Sequence, residues 1–479
     1  MSIHSHISRR QFDRTLGLGA MGLGLGDALA ERGQASPLTG FGKAKHVIFL
    51  FLYGGPSQID SWDMKPDAAV EYRGEFTPIN TTVPGITCCE HLPLLAKRTK
   101  DLAIVRSMTM EGSSTGDHHC DAYYVLTGQR LAKSDIAQGI NRKPRPDDDW
   151  PFIGSTVSYC RPTKGDLPAS VQLPFYSNEF SGYVVPGQFA GKLGRAHESL
   201  LVRGVRDPKV KHGFKPREFR IPSFELPSEV SRQRIAGRER LLQKLNAWQE
   251  SVEGSRQVDN FNTHQERAFR LLTSKRVKEA FDLDREPESL RNRYGNTVTA
   301  QGTLMARRLV EAGVPFVTVH WRTPEKSPLV ANWDTHADNF FHLRTHLLPE
   351  LDKMLSALLE DLDQRGLLES TLVLAMGEMG RSPKWADPRV RGTNYQPGRD
   401  HWINSMFALF AGGGIRGGQV YGATDKVAGY PIEKPVWPGD IAATIYHALG
   451  IRRNELLIND REGRRVNLLE EGEAISLFS

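Results

Sequence analysis

Residues 371–383, TLVLAMGEMGRSP, constrain this chain more than any other stretch. The apolar run at 372–376, β-prone at Val373, lies between polar residues and reads as a strand buried inside a parallel sheet. A loop carrying Gly377, Glu378, Gly380 and Arg381 follows at once. In open α/β sheets, ligands sit just beyond the carboxyl ends of the strands, where loops present side chains. A carboxylate and an arginine on a glycine-bracketed loop at that place suit a metal and an anion. A solvated loop with a surface ion pair would read the same way, so the loop alone does not decide.

Two further clusters add weight. Asn332-Trp333-Asp334-Thr335-His336 lies upstream, and Gly398-Arg399-Asp400-His401-Trp402 downstream. Both contain Asp and His, the side chains that bind divalent metals. Each abuts an apparent strand or helix, so the three clusters are expected to meet at one edge of one sheet.

The remainder of the chain supplies that sheet. Residues 46–53, HVIFLFLY, read as a central strand buried on both faces. Gly54-Gly55-Pro56-Ser57 ends it, and Asp60 follows on the loop as a candidate ligand; a turn or cap Asp is the commoner meaning of such a residue. A helix is expected at 92–97 and a short strand at 102–105. Ser113 to Asp121, SSTGDHHCD, precedes a further helical run at 122–126. A helix start has unpaired N–H groups and a positive dipole end, so this segment is a candidate anion site with His118 and His119 as its chemistry. Residues 140–295 read as an irregular and helical insertion, with charged amphipathic helices at 229–255 and 262–281. Beyond it the α/β rhythm returns: a helix at 303–312, a strand at 314–320, a long helix at 342–364, strands at 372–376 and 406–410, and a last helix at 440–449. The leucines of 342–364 recur at helical spacing and mark core. Apolar strands alternating with helices predict a mostly parallel sheet covered on both faces.

Composition sets limits. The 479 residues are 39% hydrophobic, enough for a large core, and the formal charge is +6. The positive charge is spread without a dense block, which argues against a nucleic-acid partner. Four cysteines, none in a CxxC pair, argue against a thiolate zinc site; one long-range disulfide would be compatible with an oxidising compartment. The N-terminus reads as an address. Ser8-Arg9-Arg10-Gln11-Phe12 is a twin-arginine pattern, followed by a glycine-rich, weakly apolar run and a small-residue cleavage site at Ala28-Leu29-Ala30. That run is too short to span a membrane, which takes about 20 apolar residues. Residues 1–30 are therefore expected to be a signal peptide read by the twin-arginine translocase, placing residues 31–479, as a single domain, in the periplasm or outside the cell.

The stretches FLFLYGGPSQIDSWDMKP, HHCDAYYVLTG, ARRLVEAGVPFVTV, NWDTHADNF, LLEDLDQRGLLESTLVLAMGEMGRSP, GRDHW and WPGDIAATIYHALGI resemble the alkaline phosphatase/sulfatase superfamily, in particular a twin-arginine-exported branch described as a domain of unknown function. The resemblance implies a three-layer α/β/α sandwich with metals at the carboxyl edge of a mostly parallel sheet, and cleavage of phosphate or sulfate esters. Carried over by position, it implies Asp60, Asp334, His336, Glu378 and His401 as ligands of one or two divalent metals. Zinc, manganese and calcium all remain open. Arg381, or alternatively Arg399, would grip the anionic oxygens, and His118 or His119 would act as general acid, ligand or nucleophile. The chain departs from the superfamily pattern at three places. Tyr53-Gly54 stands where an Asp is usual, Met379 follows Glu378 in place of a His, and no Cys, Ser or Thr occupies the nucleophile position near His118. Two functional classes follow: an exported metal-dependent esterase acting on an anionic ester such as a sulfated or phosphorylated glycan, or a degenerate relative that binds a polyanion or serves an exported complex.

Overall fold

The computed structural model describes residues 38–479, apart from 115, 140–141, 164, 179–182, 210–212, 222–236, 238–273, 323–331, 388–395 and 461–462. The expected signal peptide and the expected helix at 229–255 lie outside the described residues, save Gly237. So does the expected helix at 262–281 up to residue 273.

Eight strands form the central sheet: β1 (His46–Phe51), β2 (Leu102–Met108), β3 (Ser170–Leu173), β4 (Leu200–Leu201), β5 (Phe316–His320), β6 (Thr371–Met376), β7 (Met406–Ala411) and β8 (Gln419–Tyr421). Their spatial order is β8-β2-β7-β6-β1-β5-β3-β4. All adjacent pairs are parallel except those made by β7, which runs against both β6 and β2. The sheet is thus mostly parallel, as its apolar strands predict. The stretch 406–410, apolar throughout, gave no signal of its reversed direction.

Because side chains alternate along a strand, β1 feeds two cores. Ile48 and Leu50 pack with Leu304 and Leu309 of helix α3 (Val298–Glu311) and with Leu351, Leu355, Leu358 and Leu362 of helix α4 (Leu348–Gln364). Val47, Phe49 and Phe51 pack with Val125 of α1 (His118–Thr127), Val157 of α2 (Ile153–Cys160) and Ile441 and Ile445 of α5 (Pro438–Ala448). Helices therefore cover both faces, giving the three-layer α/β/α sandwich that the resemblance implied.

Three sequence expectations change in detail. The helix expected to start at 342 begins as a short turn of helix at Asn339–His342, passes through a π-helical turn at Leu343–Leu347, and continues as α4. Part of the supposed insertion belongs to the main sheet, since β3 and β4 extend it beyond β5. All four cysteines are free thiols, so the long-range disulfide is not formed. Among the described residues, no helix is long and apolar enough to cross a membrane.

Candidate metal centre

The carboxyl edge of β1, β5 and β6 is where the polar clusters meet. The chain leaves β1 into Gly54, which has φ of +113°, and a Cβ there would fall 2.5 Å from the Asp334 backbone nitrogen. Glycine therefore lets the β1 loop lie directly against the segment carrying Asp334. Gly398 plays the same part from the other side, because a Cβ on it would overlap the His336 carbonyl. Gly380–Arg381 and His401–Trp402 pair as a two-stranded ribbon, which delivers His401 to the same edge. The fourth contribution comes from the first turn of α1. Asp117 caps that helix by accepting from the backbone N–H groups of His119 and Cys120. The cap takes up two of the first-turn donors and sets a carboxylate beside them, which disfavours an anion at this helix start.

Three imidazoles converge on Asp334. His401 Nε2 lies 3.2 Å from Asp334 Oδ1, His336 Nε2 3.0 Å from the same oxygen, and His118 Nε2 3.4 Å from Oδ2. The Nε2 atoms of His336 and His401 are 2.9 Å apart. The ligand atoms of His118, Asp334 and His401 all lie within 4.8 Å of one another. Each ring is held from behind through Nδ1: His118 by Glu378 at 2.6 Å, His336 by Asp400 at 2.9 Å, and His401 by the Gly116 carbonyl at 2.6 Å. Fixing one ring nitrogen by an outer carboxylate or carbonyl, so that the other faces inward, is how proteins orient metal-binding histidines. Ligands at about 2.0–2.1 Å in tetrahedral array stand about 3.3 Å apart, the scale of the spacings between Asp334 and the imidazoles; His336 lies outside the group whose ligand atoms are all within 4.8 Å of one another. His118 Nε2 is buried, and its contact with Asp334 Oδ2 at 3.4 Å is a long, weak hydrogen bond. A buried imidazole nitrogen so loosely paired is costly unless something engages it more closely. On these grounds the residues fit a divalent metal.

The electrostatics agree. Burial works against a charged His118, yet its hydrogen bonds to Asp334 and Glu378 prevail and push its pKa up to about 10. Burial likewise works against a charged Asp334, but the Arg381 guanidinium and the three imidazoles hold it far below the usual carboxylate range. Burial lowers the pKa of His401, while the hydrogen bond to Asp334 raises that of His336. The carboxylates thus hold a proton on His118 in the metal-free chain, which a metal would displace on binding.

Several expected roles are redistributed. Glu378 is fully buried, and its two oxygens accept from Gly54 N at 2.8 and 3.1 Å as well as meeting His118. It stands behind an imidazole and orients it. Asp60, expected as a ligand, is placed elsewhere. Its carboxylate meets Arg399 Nε at 2.7 Å and Nη2 at 2.9 Å, Ser57 Oγ at 2.6 Å and Asn339 Nδ2 at 3.0 Å. Neither arginine expected to grip an anion faces solvent. Arg381 is fully buried and donates to Gly54 O, to Gly55 O at 2.9 Å, to Arg399 O at 3.1 Å and to Asp334 at 2.5 Å. Arg399 is spent on Asp60 and backbone carbonyls. His119 points away, since neighbouring residues on a helix diverge by about 100°. Its Nδ1 lies 3.2 Å from the Arg142 carbonyl.

Two residues near the centre were quoted in the sequence motifs without a role. Asp400 orients His336 and lies one position before His401. Asp121, one turn along α1 from His118, is buried, accepts from Ser114 Oγ, and is held by that burial well above the usual carboxylate range. The i,i+3 spacing of His118 and Asp121 was the available signal for the latter.

The chain belongs to the family described as Protein of unknown function (DUF1501), whose model matches residues 44–477. No curated protein matches the sequence. Similar solved structures include the PsFucS1 sulfatase from Pseudoalteromonas sp., with 14% identity and a TM-score of 0.38 over 86% of this chain and 68% of that one. Phosphonate monoester hydrolase SpPMH from Silicibacter pomeroyi follows at 12% and 0.34, over 85% and 73%. Alkaline phosphatase from the Antarctic bacterium TAB5 stands at 11% and 0.33, over 86% and 99%.

Proposed function

We propose that the protein is an exported hydrolase of phosphate or sulfate esters that works with a divalent metal held by Asp334 and the Nε2 atoms of His118, His336 and His401. The observation that carries this reading is the inward convergence of three Nε2 atoms on one carboxylate, each ring anchored from behind. A donor set of imidazoles and one carboxylate suits a zinc-class ion better than calcium, which takes six to eight oxygens. When bound, the ion would polarise an oxygen of the ester. The protein residues supply the frame. Glu378 fixes the tautomer of His118 by receiving its Nδ1–H. Arg381 keeps Asp334 ionised and locked against the β1 loop. His336, nearly half exposed at 46%, is the imidazole that an ester entering from solvent meets first, with Nδ1 held by Asp400. A sulfated or phosphorylated glycan is the proposed substrate class, as the superfamily resemblance implies.

The test is the metal content of purified protein, followed by turnover of aryl phosphates and aryl sulfates. Close to one zinc-class ion per chain and hydrolysis abolished by a chelator are expected. Metal-replete protein that hydrolyses neither ester class would shift the assignment to polyanion binding. Export by the twin-arginine route is part of the proposal and rests on Arg9 and Arg10. Replacing both with Lys is expected to leave precursor in the cytoplasm, because the receptor reads a guanidinium pair. Cell fractionation that finds the double variant exported as before would remove this part of the reading.

A further inference from the structure

The Asp60–Arg399 pair has 0% exposure on both side chains, in a molecule with ample surface for charges. Burying two ions costs several kcal/mol each, and a pair of apolar side chains of similar size often stabilises a fold as well or better. Stability alone therefore does not account for it. What the pair touches is more telling. The Arg399 guanidinium donates to Asp60 through Nε and Nη2, to the Ser382 and Pro383 carbonyls through Nη1, and to the Tyr72 carbonyl at 2.8 Å. The Arg399 backbone N–H donates to Thr335 O at 3.2 Å, and its carbonyl accepts from Arg381. Asp60 also accepts from Asn339, whose Oδ1 accepts from Thr335 Oγ1 at 2.6 Å. Thr335 directly follows Asp334, and Arg399 lies two residues before His401. One carboxylate thus ties the β1 loop to both segments that bring Asp334 and His401 together.

We propose that Asp60 and Arg399 are a positioning pair that sets the spacing between Asp334 and His401, and with it the metal affinity of the centre. The inference rests on the metal-centre reading above. Neither side chain is among the residues that would hold the metal. The pair acts through the 335–339 and 399–401 segments, and its bidentate geometry fixes their relative orientation as well as their distance.

The experiment is titration of the metal-free full chain with cobalt(II), followed by its visible ligand-field bands, with melting in EDTA recorded alongside. The wild type, Asp60→Leu/Arg399→Met, Asp60→Asn and Arg399→Lys are compared. The expected result is that the apolar double variant melts in EDTA within a few degrees of wild type. It should bind cobalt about 10–100-fold more weakly, the usual loss on disturbing an outer-shell partner, with altered bands. Asp60→Asn should show the same direction, and Arg399→Lys should fail to restore affinity, because an ammonium cannot span both carboxylate oxygens. Wild-type affinity and bands in the folded double variant would overturn the proposal. If the double variant does not fold, Asp60→Asn decides by the same criteria. If neither folds in EDTA, the pair is structural and the proposal is overturned. Should the wild type itself bind no cobalt, the metal-centre reading fails first, and the result is distinguishable from loss confined to the variants.

Discussion

Two buried charge clusters in this molecule invite comparison. In the helical layer, Arg307 meets Glu286 at 2.7 Å, Glu311 at 2.5 Å and Asp361 at 2.8 Å. Arg308 joins Glu286, and Arg365 reaches Asp361 at 2.7 Å and Glu311 at 2.9 Å. Three arginines face three carboxylates, and the charges balance. At the carboxyl edge of the sheet, Asp334 and Glu378 face one guanidinium, that of Arg381, together with three imidazoles. With the proton that the carboxylates hold on His118, these charges also balance, and a metal would take the place of that proton. The positive charges of the helical cluster are permanent guanidinium groups, whereas part of the edge cluster's positive charge is a proton that a cation could replace. Burial and charge density are common to both; what separates them is composition, fixed guanidinium charges against carboxylates in one, and imidazoles gathered on a single carboxylate in the other.

The largest effect that can break this contrast comes from the edge. His118→Ala or Asp334→Asn is expected to strip the bound metal and to lower kcat/KM on the best aryl ester by about two to four orders of magnitude, the span for losing a positioned catalytic group. Metal analysis and steady-state kinetics on folded protein check it. Full metal content in both variants would show that the edge cluster is as self-contained as the helical one.

How far the sequence foretells this site depends on what each residue does. The strands at 46–53 and 372–376 are legible because they are buried on both faces and hence apolar throughout. Asp334, His336 and His401 are legible because Asp and His gather at element ends. Asp60, Arg381 and Arg399 are misleading for a physical reason. A charged residue on a glycine-rich loop normally faces water, yet residues 51–60 are buried along their whole length, and charges there must pair with one another. Glu378 is found in the right place with a different task, since no spacing rule separates a ligand from the group that orients one. The direction of β7 and the joining of β3 and β4 to the sheet depend on long-range pairing, which local pattern does not encode.

A second, smaller effect belongs to the helical cluster. Glu286 is held below the usual carboxylate range: burial works against its charge, but the hydrogen bonds and charges of Arg307 and Arg308 prevail. A depressed folded-state pKa contributes stability above the unfolded value, about 4.3 for Glu, and that contribution is lost as pH falls through the folded value. Glu286→Gln leaves buried arginines short of a partner, so it is expected to cost about 3–5 kcal/mol at pH 7. The gap from wild type should narrow as pH drops below about 4. Denaturant melts at pH 7 and pH 3.5 measure both, and metal content is expected to stay at the wild-type level. Loss of metal along with stability would mean that the two clusters are coupled across the sheet.

The smallest effect sharpens the comparison at its margin, where Thr297 caps α3. Its hydroxyl oxygen accepts from Ala300 N at 3.1 Å, and the hydroxyl donates to Glu350 on α4. Burial raises the Glu350 pKa to about 8, and the Thr297 hydrogen bond works in the opposite direction. A folded-state pKa raised above the unfolded one contributes stability at low pH, and this is lost as pH rises through about 8. Thr297→Ala should remove about 1 kcal/mol as a lost helix cap at pH 6, where Glu350 is protonated. At pH 9 the carboxylate is ionised and has lost its hydroxyl donor, so the deficit should be larger. Melting temperatures of variant and wild type at the two pH values test this, with cobalt affinity as the control expected to be unchanged. A deficit independent of pH would reduce Thr297 to a cap alone, with no part in setting the charge of Glu350.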